Sequence, residues 1–406
     1  MKKLLAMLMA AVMVFGMAAC GGNNTANNTS GNNTTGNTTG DTTGDETTGT
    51  AGGTFTIGVI GPTTGGAAIY GNAVANAAQI AVDEINALGG EIQFNLLVAD
   101  DTNDAESSVN AYNSLMDDGM QMLIGTVTTT PALSVAPLTY EDRVFTLTPS
   151  ASGDDVIENN DNVFQICFTD SNQGTRSAQY IDEHFEDPQI AIIYRNDDAY
   201  SQGIRDNFYD EATARGMSIV YEGTFTEASQ TDFNVQLTAA QSAGADLLFL
   251  PIYYEPASVI LTQANAMGYA PTFFGVDGMD GILTVTGFDT SLAEGVYLLT
   301  PFAADAEDEA TQNFVAEYQA QYTDIPNQFA ADAYDAVYVL YEAIQAAGVT
   351  ADMSNEELCD ALIAAMADLS VVGLTSAGSE MTWDENGAVS KDPTAVVIEN
   401  GAYVTP

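Results

Sequence analysis

Beyond residue 54, short apolar runs alternate with stretches of helical periodicity along almost the whole chain. That alternation is the mark of parallel β-sheets whose strands are joined by helical crossovers, and it excludes most all-α and all-β arrangements. FTIGVIG at 55–61 reads as a buried strand, and the following segment sets Val74, Ala77, Ala78, Ala81, Val82 and Ile85 on one helical face before Gly89-Gly90 stops it. Next come a strand IQFNLLVAD, a helix around 104–118, a strand QMLIG ending at Gly125, a helix beginning near Thr130-Pro131, and a strand VFTLTPS. Pro131 falls where the first turn of a helix tolerates it.

A second series is expected to start at NVFQICFTD and to continue through QIAIIYRND, MSIVYEGTF, ADLLFLPIYY and PTFFGVDG, with helices near 172–184, 201–215, 230–243 and 256–267. Helical patterns at 305–323, 328–347 and 354–367 follow, and the tail from Val371 to Val404 holds short strands and turns. Roughly 350 residues are more than one hydrophobic core serves, so two lobes are expected. The boundaries read as 54–170 plus 300–370 for the first lobe and 171–299 plus 371–406 for the second.

The chain opens with Lys2 and Lys3, an apolar run from Leu4 to Phe15, and Met17-Ala18-Ala19-Cys20. The run is too short for a membrane span and has the make-up of an export signal. It resembles the signal and lipobox of bacterial lipoproteins, which implies cleavage after residue 19 and a lipid on Cys20; an ordinary signal peptide with an incidental cysteine is the alternative. From Gly21 to Gly53 the chain is almost entirely Gly, Asn, Thr and Asp and holds no apolar side chain larger than alanine. Such a segment cannot repay the entropy of ordering itself, and as a flexible coil it spans roughly 30 Å. Residues 20–53 are therefore expected to be a lipidated cysteine and its disordered tether.

The formal net charge is -48, and the basic residues after the leader are Arg143, Arg176, Arg195, Arg205, Arg215 and Lys391. That balance argues against nucleic acid, or an anionic bilayer, as a partner of the folded body. Cys167 and Cys359 form neither a CxxC nor a zinc pattern, and a long-range disulfide and two buried thiols are both open. His184 is the single histidine and sits at a polar helix end, so neither a serine nor a cysteine hydrolase finds its base elsewhere; the G-x-S-x-G elbow is missing too. Asp100-Asp101-Thr102-Asn103-Asp104 lacks the glycine and glutamate of an EF-hand loop and reads as an acidic strand-to-helix turn. GVIGPTTGG is neither a dinucleotide fingerprint nor a P-loop. No metal and no cofactor is expected.

Hydroxyls and aromatics instead gather where strands end, which is where open α/β sheets place ligands. Thr128, Thr129 and Thr130 follow LIG; Ser150 and Ser152 follow VFTLTP; Tyr200 follows IAIIYRNDDA; Tyr253 and Tyr254 follow LLFLPI; and Asp277 follows PTFFGV. At IGPTTGGAAIYGNAVANAAQIAVDEINALGG, LVADDTNDAESSVNAYNSLMDDGMQMLIGTVTTTPALSVAP, DSNQG and FGVDGM the chain strongly resembles the periplasmic type I solute-binding proteins of branched-chain amino acid transport. The resemblance covers essentially all of 55–404. It implies two Rossmann-like α/β lobes joined by a three-crossing hinge, a Venus-flytrap architecture that closes on a small ligand.

It further implies that Tyr70 and Tyr200 lie near the cleft wall, that Thr129 and Ser152 hold a ligand carboxylate, and that Ser150 offers its carbonyl. Tyr253 or Tyr254 comes from the second lobe, and Asp277 receives the ammonium. The chain departs from the family in having no cysteine near Thr128 and an aspartate where a longer glutamate serves in leucine-type members. The expected function is that of a non-enzymatic, lipid-anchored, extracytoplasmic monomer that captures a small amino acid or related polar ligand and delivers it to the membrane permease of an ABC importer. Binders of amides, urea or aromatic acids, a sensory ligand-binding subunit and an envelope-attached carboxylate hydrolase are the alternatives.

Overall fold

The computed structural model describes residues 51–376 and 378–406; the leader, Cys20 and the tether up to residue 50 lie outside them, and so do the export and lipidation expectations. The first half of the described chain runs β1 (Gly53–Gly61), α1 (Ala68–Ala87), β2 (Ile92–Asp100), α2 (Ala105–Asp117), β3 (Met122–Gly125), α3 (Thr129–Glu141), β4 (Phe145–Thr148), α4 (Asp154–Ile157) and β5 (Val163–Gln165). These strands form one parallel sheet in the order β2-β1-β3-β4-β5. The chain continues with α5 (Asp170–His184), β6 (Gln189–Arg195), α6 (Ala199–Arg215), β7 (Ser218–Phe225), α7 (Asn234–Ala243), β8 (Leu247–Leu250), α8 (Tyr254–Met267), β9 (Thr272–Gly275) and β10 (Tyr297–Thr300). After α9 (Glu309–Tyr322), α10 (Gln328–Ala347) and α11 (Asn355–Met366) it ends in β11 (Thr394–Glu399) and β12 (Ala402–Val404). The second sheet has the order β12-β11-β10-β9-β8-β6-β7, parallel from β7 to β10 and antiparallel over β11 and β12.

Both sheets reverse their strand order, between β1 and β3 in one and between β6 and β8 in the other. A crevice opens at the carboxyl ends of the strands at each such reversal, which positions the loops after β1, β3, β6 and β8 to share a site. The chain moves between the sheets three times: from β5 into α5, from β10 into α9 and α10, and from α11 to β11. α10 packs along α1, and α11 lies over β4.

Local sequence accounts for most of this. α1 buries Val74, Ala77, Ala78, Ala81, Val82 and Ile85, a stripe of small and branched side chains that lets α10 approach closely. Asp104 caps α2 by accepting from the Ser107 N–H at 2.8 Å, and Asp100 accepts from the Thr63 and Thr102 N–H groups, so the acidic run is spent on a turn and a helix start. The NVFQICFTD run, expected to open the second series, instead ends the first sheet, because β5 pairs in parallel with β4. Strand YLLT of β10 carries no sequence expectation; it is four residues long and gains its place from β9 and β11 on either side. Cys167 and Cys359 are both buried and free, which closes the disulfide alternative.

The third crossing is pinned by a buried ion pair. Lys391 Nζ lies 2.9 Å from Asp332 Oδ1 on α10 and 2.5 Å from Thr375 Oγ1, while Asp335, one turn further, accepts from the Leu374 and Thr375 N–H groups. Trp383 in the same crossing segment is 8% exposed and donates its indole N–H to the Gln165 carbonyl at the end of β5, 2.8 Å away. The arginines by contrast pair at the surface, Arg143 with Asp161 and Asp360 and Arg215 with Asp182 and Glu211, where each such bond contributes about 1 kcal/mol or less.

Candidate functional site

The loops at the two strand-order reversals converge on a cavity lined by Tyr70, Val127, Thr128, Thr129, Ser150, Tyr200, Tyr253, Asp277, Gly278 and Phe329. Seven of the residues singled out by sequence, Tyr70, Thr128, Thr129, Ser150, Tyr200, Tyr253 and Asp277, thus meet in one place, drawn from both sheets. Ser152 and Tyr254 do not line it. Ser152 is fully buried with its hydroxyl beside the Asp170 carboxyl, and Tyr254 packs edge-on to Tyr70 with centroids 5.0 Å apart. Of the adjacent tyrosines, then, Tyr253 faces the cavity.

Aromatic rings close the walls against one another. Tyr70 stands 4.4 Å from Phe329 and 5.4 Å from Tyr253, and Tyr200 stacks on Tyr253 at 5.0 Å. The Tyr70 hydroxyl, from α1, donates to the Gly278 carbonyl and accepts from the Tyr254 N–H at 3.4 Å, which ties the first sheet's helix to the second sheet's loops. Thr130 reaches Asp198 across the same gap at 3.4 Å. The enclosed volume is about 10 Å³, the room of one water, so any larger ligand enters by separation of the two sheets.

One wall suits an anion. Thr128 and Thr129 open α3, whose first N–H groups point toward the cavity end of the helix. The Ser150 hydroxyl is spent on the Val127 carbonyl at 2.7 Å, and Thr129 Oγ1 accepts from the Gly153 N–H at 3.3 Å. Facing them, Asp277 Oδ1 accepts from the Tyr200 hydroxyl at 2.5 Å and from the Gly278 N–H at 2.7 Å. Gly278 has no room for a side chain: a Cβ there would fall 2.5 Å from the Tyr200 oxygen and 3.0 Å from the Tyr253 ring.

No basic side chain lines the cavity, and burial pushes the Asp277 carboxyl up to about 7 even though the Tyr200, Gln173 and Gly278 bonds pull it down. Asp280 and Asp332 are each pushed up to about 6, again by burial first. These folded values exceed the value of about 4 of an unfolded aspartate, so the folded chain holds more protons and loses stability as pH rises from about 4 to 7. Carboxyls held low, such as Asp100 and Asp104, act in the opposite sense but are exposed to screening, and growing repulsion among the acids adds to the loss. The thermal midpoint of the unliganded chain is expected to be higher at pH 5 than at pH 7.5; a scan giving the reverse order would contradict the dominance of burial over the polar and ionic partners of these aspartates.

Sequence reasoning missed the residues behind Asp277. Gln173, at the start of α5, accepts from the Asp277 N–H at 3.3 Å, and Gln328, at the start of α10, donates to the Asp277 carbonyl at 3.0 Å. Both glutamines, and Phe329, stand just after a crossing between the sheets, so the anchor is held by the hinge itself. Gln173 lies inside DSNQG, which flagged the segment without flagging the side chain's task. His184 is exposed at the end of α5, stacks on Tyr180 at 4.1 Å and does not line the cavity.

Two α/β bodies joined by three crossings, with a small cavity between their strand ends, define a two-lobed solute receptor of the type I Venus-flytrap class. The chain belongs to the periplasmic binding protein family, whose sequence profile matches residues 54–402. It is 31% identical over 300 residues to the Leu/Ile/Val-binding protein BraC3 of Rhizobium johnstonii, a match covering 73% of this chain and 80% of that protein. A leucine binding protein from Thermotoga maritima superimposes with a TM-score of 0.77 at 26% identity, over 87% of this chain and 97% of that one. A solute binding protein from R. palustris in complex with benzoate has the same fold, with a TM-score of 0.77 at 20% identity, over 87% of this chain and 95% of that one. The protein is thus an extracytoplasmic solute-binding protein of the ABC-importer kind.

Proposed function

We propose that the cleft captures a small α-amino acid and presents it, in the closed form, to the membrane permease of an ABC importer, with the chain held at the membrane as a monomer by a lipid on Cys20. One observation carries the reading: a buried aspartate without a cationic partner faces the start of a helix across a cavity that holds no basic side chain. A zwitterion supplies both missing charges. Its carboxylate takes the N–H groups at the start of α3 and the Thr129 hydroxyl, the Thr128 hydroxyl being given to Asn103 Oδ1 at 2.7 Å, and its ammonium compensates Asp277. The rings of Tyr70, Tyr200, Tyr253 and Phe329 would then enclose the side chain, each buried CH₂ adding about 0.8 kcal/mol. The Leu/Ile/Val-binding relatives support this choice.

The same four rings favour a second reading, an aromatic acid, as in the benzoate-bound R. palustris protein. An aromatic acid leaves Asp277 uncompensated, and that cost ranks it second. Calorimetric titration of the mature chain with the twenty amino acids and with benzoate decides between them. One-to-one saturation by an aliphatic amino acid is expected. Saturation by benzoate alone would overturn the reading, and silence from every compound would move attention to amides and urea.

A further inference from the structure

A separate cavity of about 890 Å³ lies on the other side of the turn that carries Asp277. Asp280, in that turn, is 4% exposed and lines this cavity, while Asp277 lines the cleft. The remaining walls come from α1, from α9 and the segment after it, from the segment after β10, and from β12, so both sheets and a crossing contribute.

We propose that this cavity is a binding site for an organic cation, a protonated or quaternary amine on an apolar body, held by the Asp280 carboxylate and the rings of Tyr318, Tyr322 and Tyr403. Three observations converge on it. First, Asp280, Asp305 and Asp324 line the cavity and no Lys, Arg or His does, which rejects anions and leaves a negative field. Second, Asp280 is buried with polar but no cationic neighbours: Oδ2 accepts from the Gln328 N–H at 2.9 Å, and the Tyr403 hydroxyl lies beside the carboxyl. A buried charge held that way keeps an unmet demand for a counter-charge. Third, tyrosine faces attract a cation that is too weakly hydrated to prefer water, and the volume falls within the roughly 300–1,000 Å³ of small-molecule sites. A metal ion fits less well, since Asp305 and Asp324 are exposed and no group of three or more His, Cys, Asp or Glu positioned to hold a metal occurs among the described residues. The inference does not depend on which solute the cleft takes.

The test is calorimetric titration of the mature chain with choline and with its uncharged carbon isostere 3,3-dimethylbutan-1-ol, in about 0.15 M salt to screen the acidic surface. Choline is expected to saturate one site and the isostere to bind at least tenfold more weakly. Asp280→Asn is expected to weaken choline at least tenfold. Leu283→Lys, which sets a positive charge in the cavity from a half-buried position outside the cleft, is expected to abolish choline binding while the cleft's own ligand still titrates. Equal binding of the isostere, many-site uptake that fades with salt, affinity unchanged in both variants, or no binding of choline would each overturn the proposal.

Discussion

Asp277→Ala is expected to raise the Kd for the cleft's amino acid by about 100-fold or more while the chain still folds. Removing one member of a buried, hydrogen-bonded charge pair costs roughly 2–5 kcal/mol, which corresponds to about 30-fold to several thousand-fold in affinity. Folding is spared because the contacts that hold the turn use the main chain: Gln173 takes the residue 277 N–H and Gln328 gives to its carbonyl, whatever the side chain. The variant even sheds a buried carboxyl that burial pushes up to about 7, so its midpoint at pH 7.5 should not fall. A pH series separates charge from shape. Ammonium binding needs the ionised carboxylate, so affinity in the parent chain falls by about tenfold per pH unit below 7, whereas the variant's residual affinity stays flat. Undiminished affinity at pH 7.5, or a parent chain whose affinity ignores pH, would remove Asp277 from the site.

Lys391→Met is expected to cost about 3–5 kcal/mol of folding stability, read as a fall in the urea midpoint, and to be the largest stability loss of any single charge removal in the body. Lys391 is 7% exposed, and its ammonium is the one cation that meets both Asp332 and Thr375. Without it Asp332 and Asp335 stand as two buried carboxyls on neighbouring turns of α10, facing each other's charge. A double variant, Lys391→Met with Asp332→Leu, should recover much of the loss, because Asp335 keeps its bonds to Leu374 and Thr375. A single variant as stable as the parent would show that the third crossing is held by packing alone. The surface arginines offer a contrast: Arg215→Met, which breaks exposed pairs, should lie within about 1 kcal/mol of the parent.

Local pattern located the elements more fully than their partners. IQFNLLVAD coincides with β2, and QIAIIYRND, MSIVYEGTF and ADLLFLPIYY contain β6, β7 and β8; the inner strands β6 and β8 read as continuous apolar runs, while the partly exposed edge strands β2 and β7 show through their branched and aromatic side chains. NVFQICFTD has the same look, yet nothing in its composition says that it pairs with β4 rather than opening a new sheet; register and neighbour are tertiary choices. The site divides the same way. Thr129, Ser150, Tyr200, Tyr253 and Asp277 follow strands, and strand ends converge by topology, so they were legible one motif at a time. Phe329, Gln173 and Gln328 begin helices after crossings, and only the path of the hinge brings them under Asp277. Ser152, two residues from Ser150 on a loop, turns inward to Asp170, a choice that hydroxyl chemistry alone does not signal.

The indole of Trp383 gives the molecule its own optical gauge. The chain contains a single tryptophan, it sits in the last crossing, and its N–H is bound to the carbonyl that ends the first sheet. Emission from this residue therefore comes from one place and one environment, beside the hinge. A swing of the two bodies that loosens the bond to Gln165 would wet the indole and shift its colour, a change readable by light from the unlabelled protein.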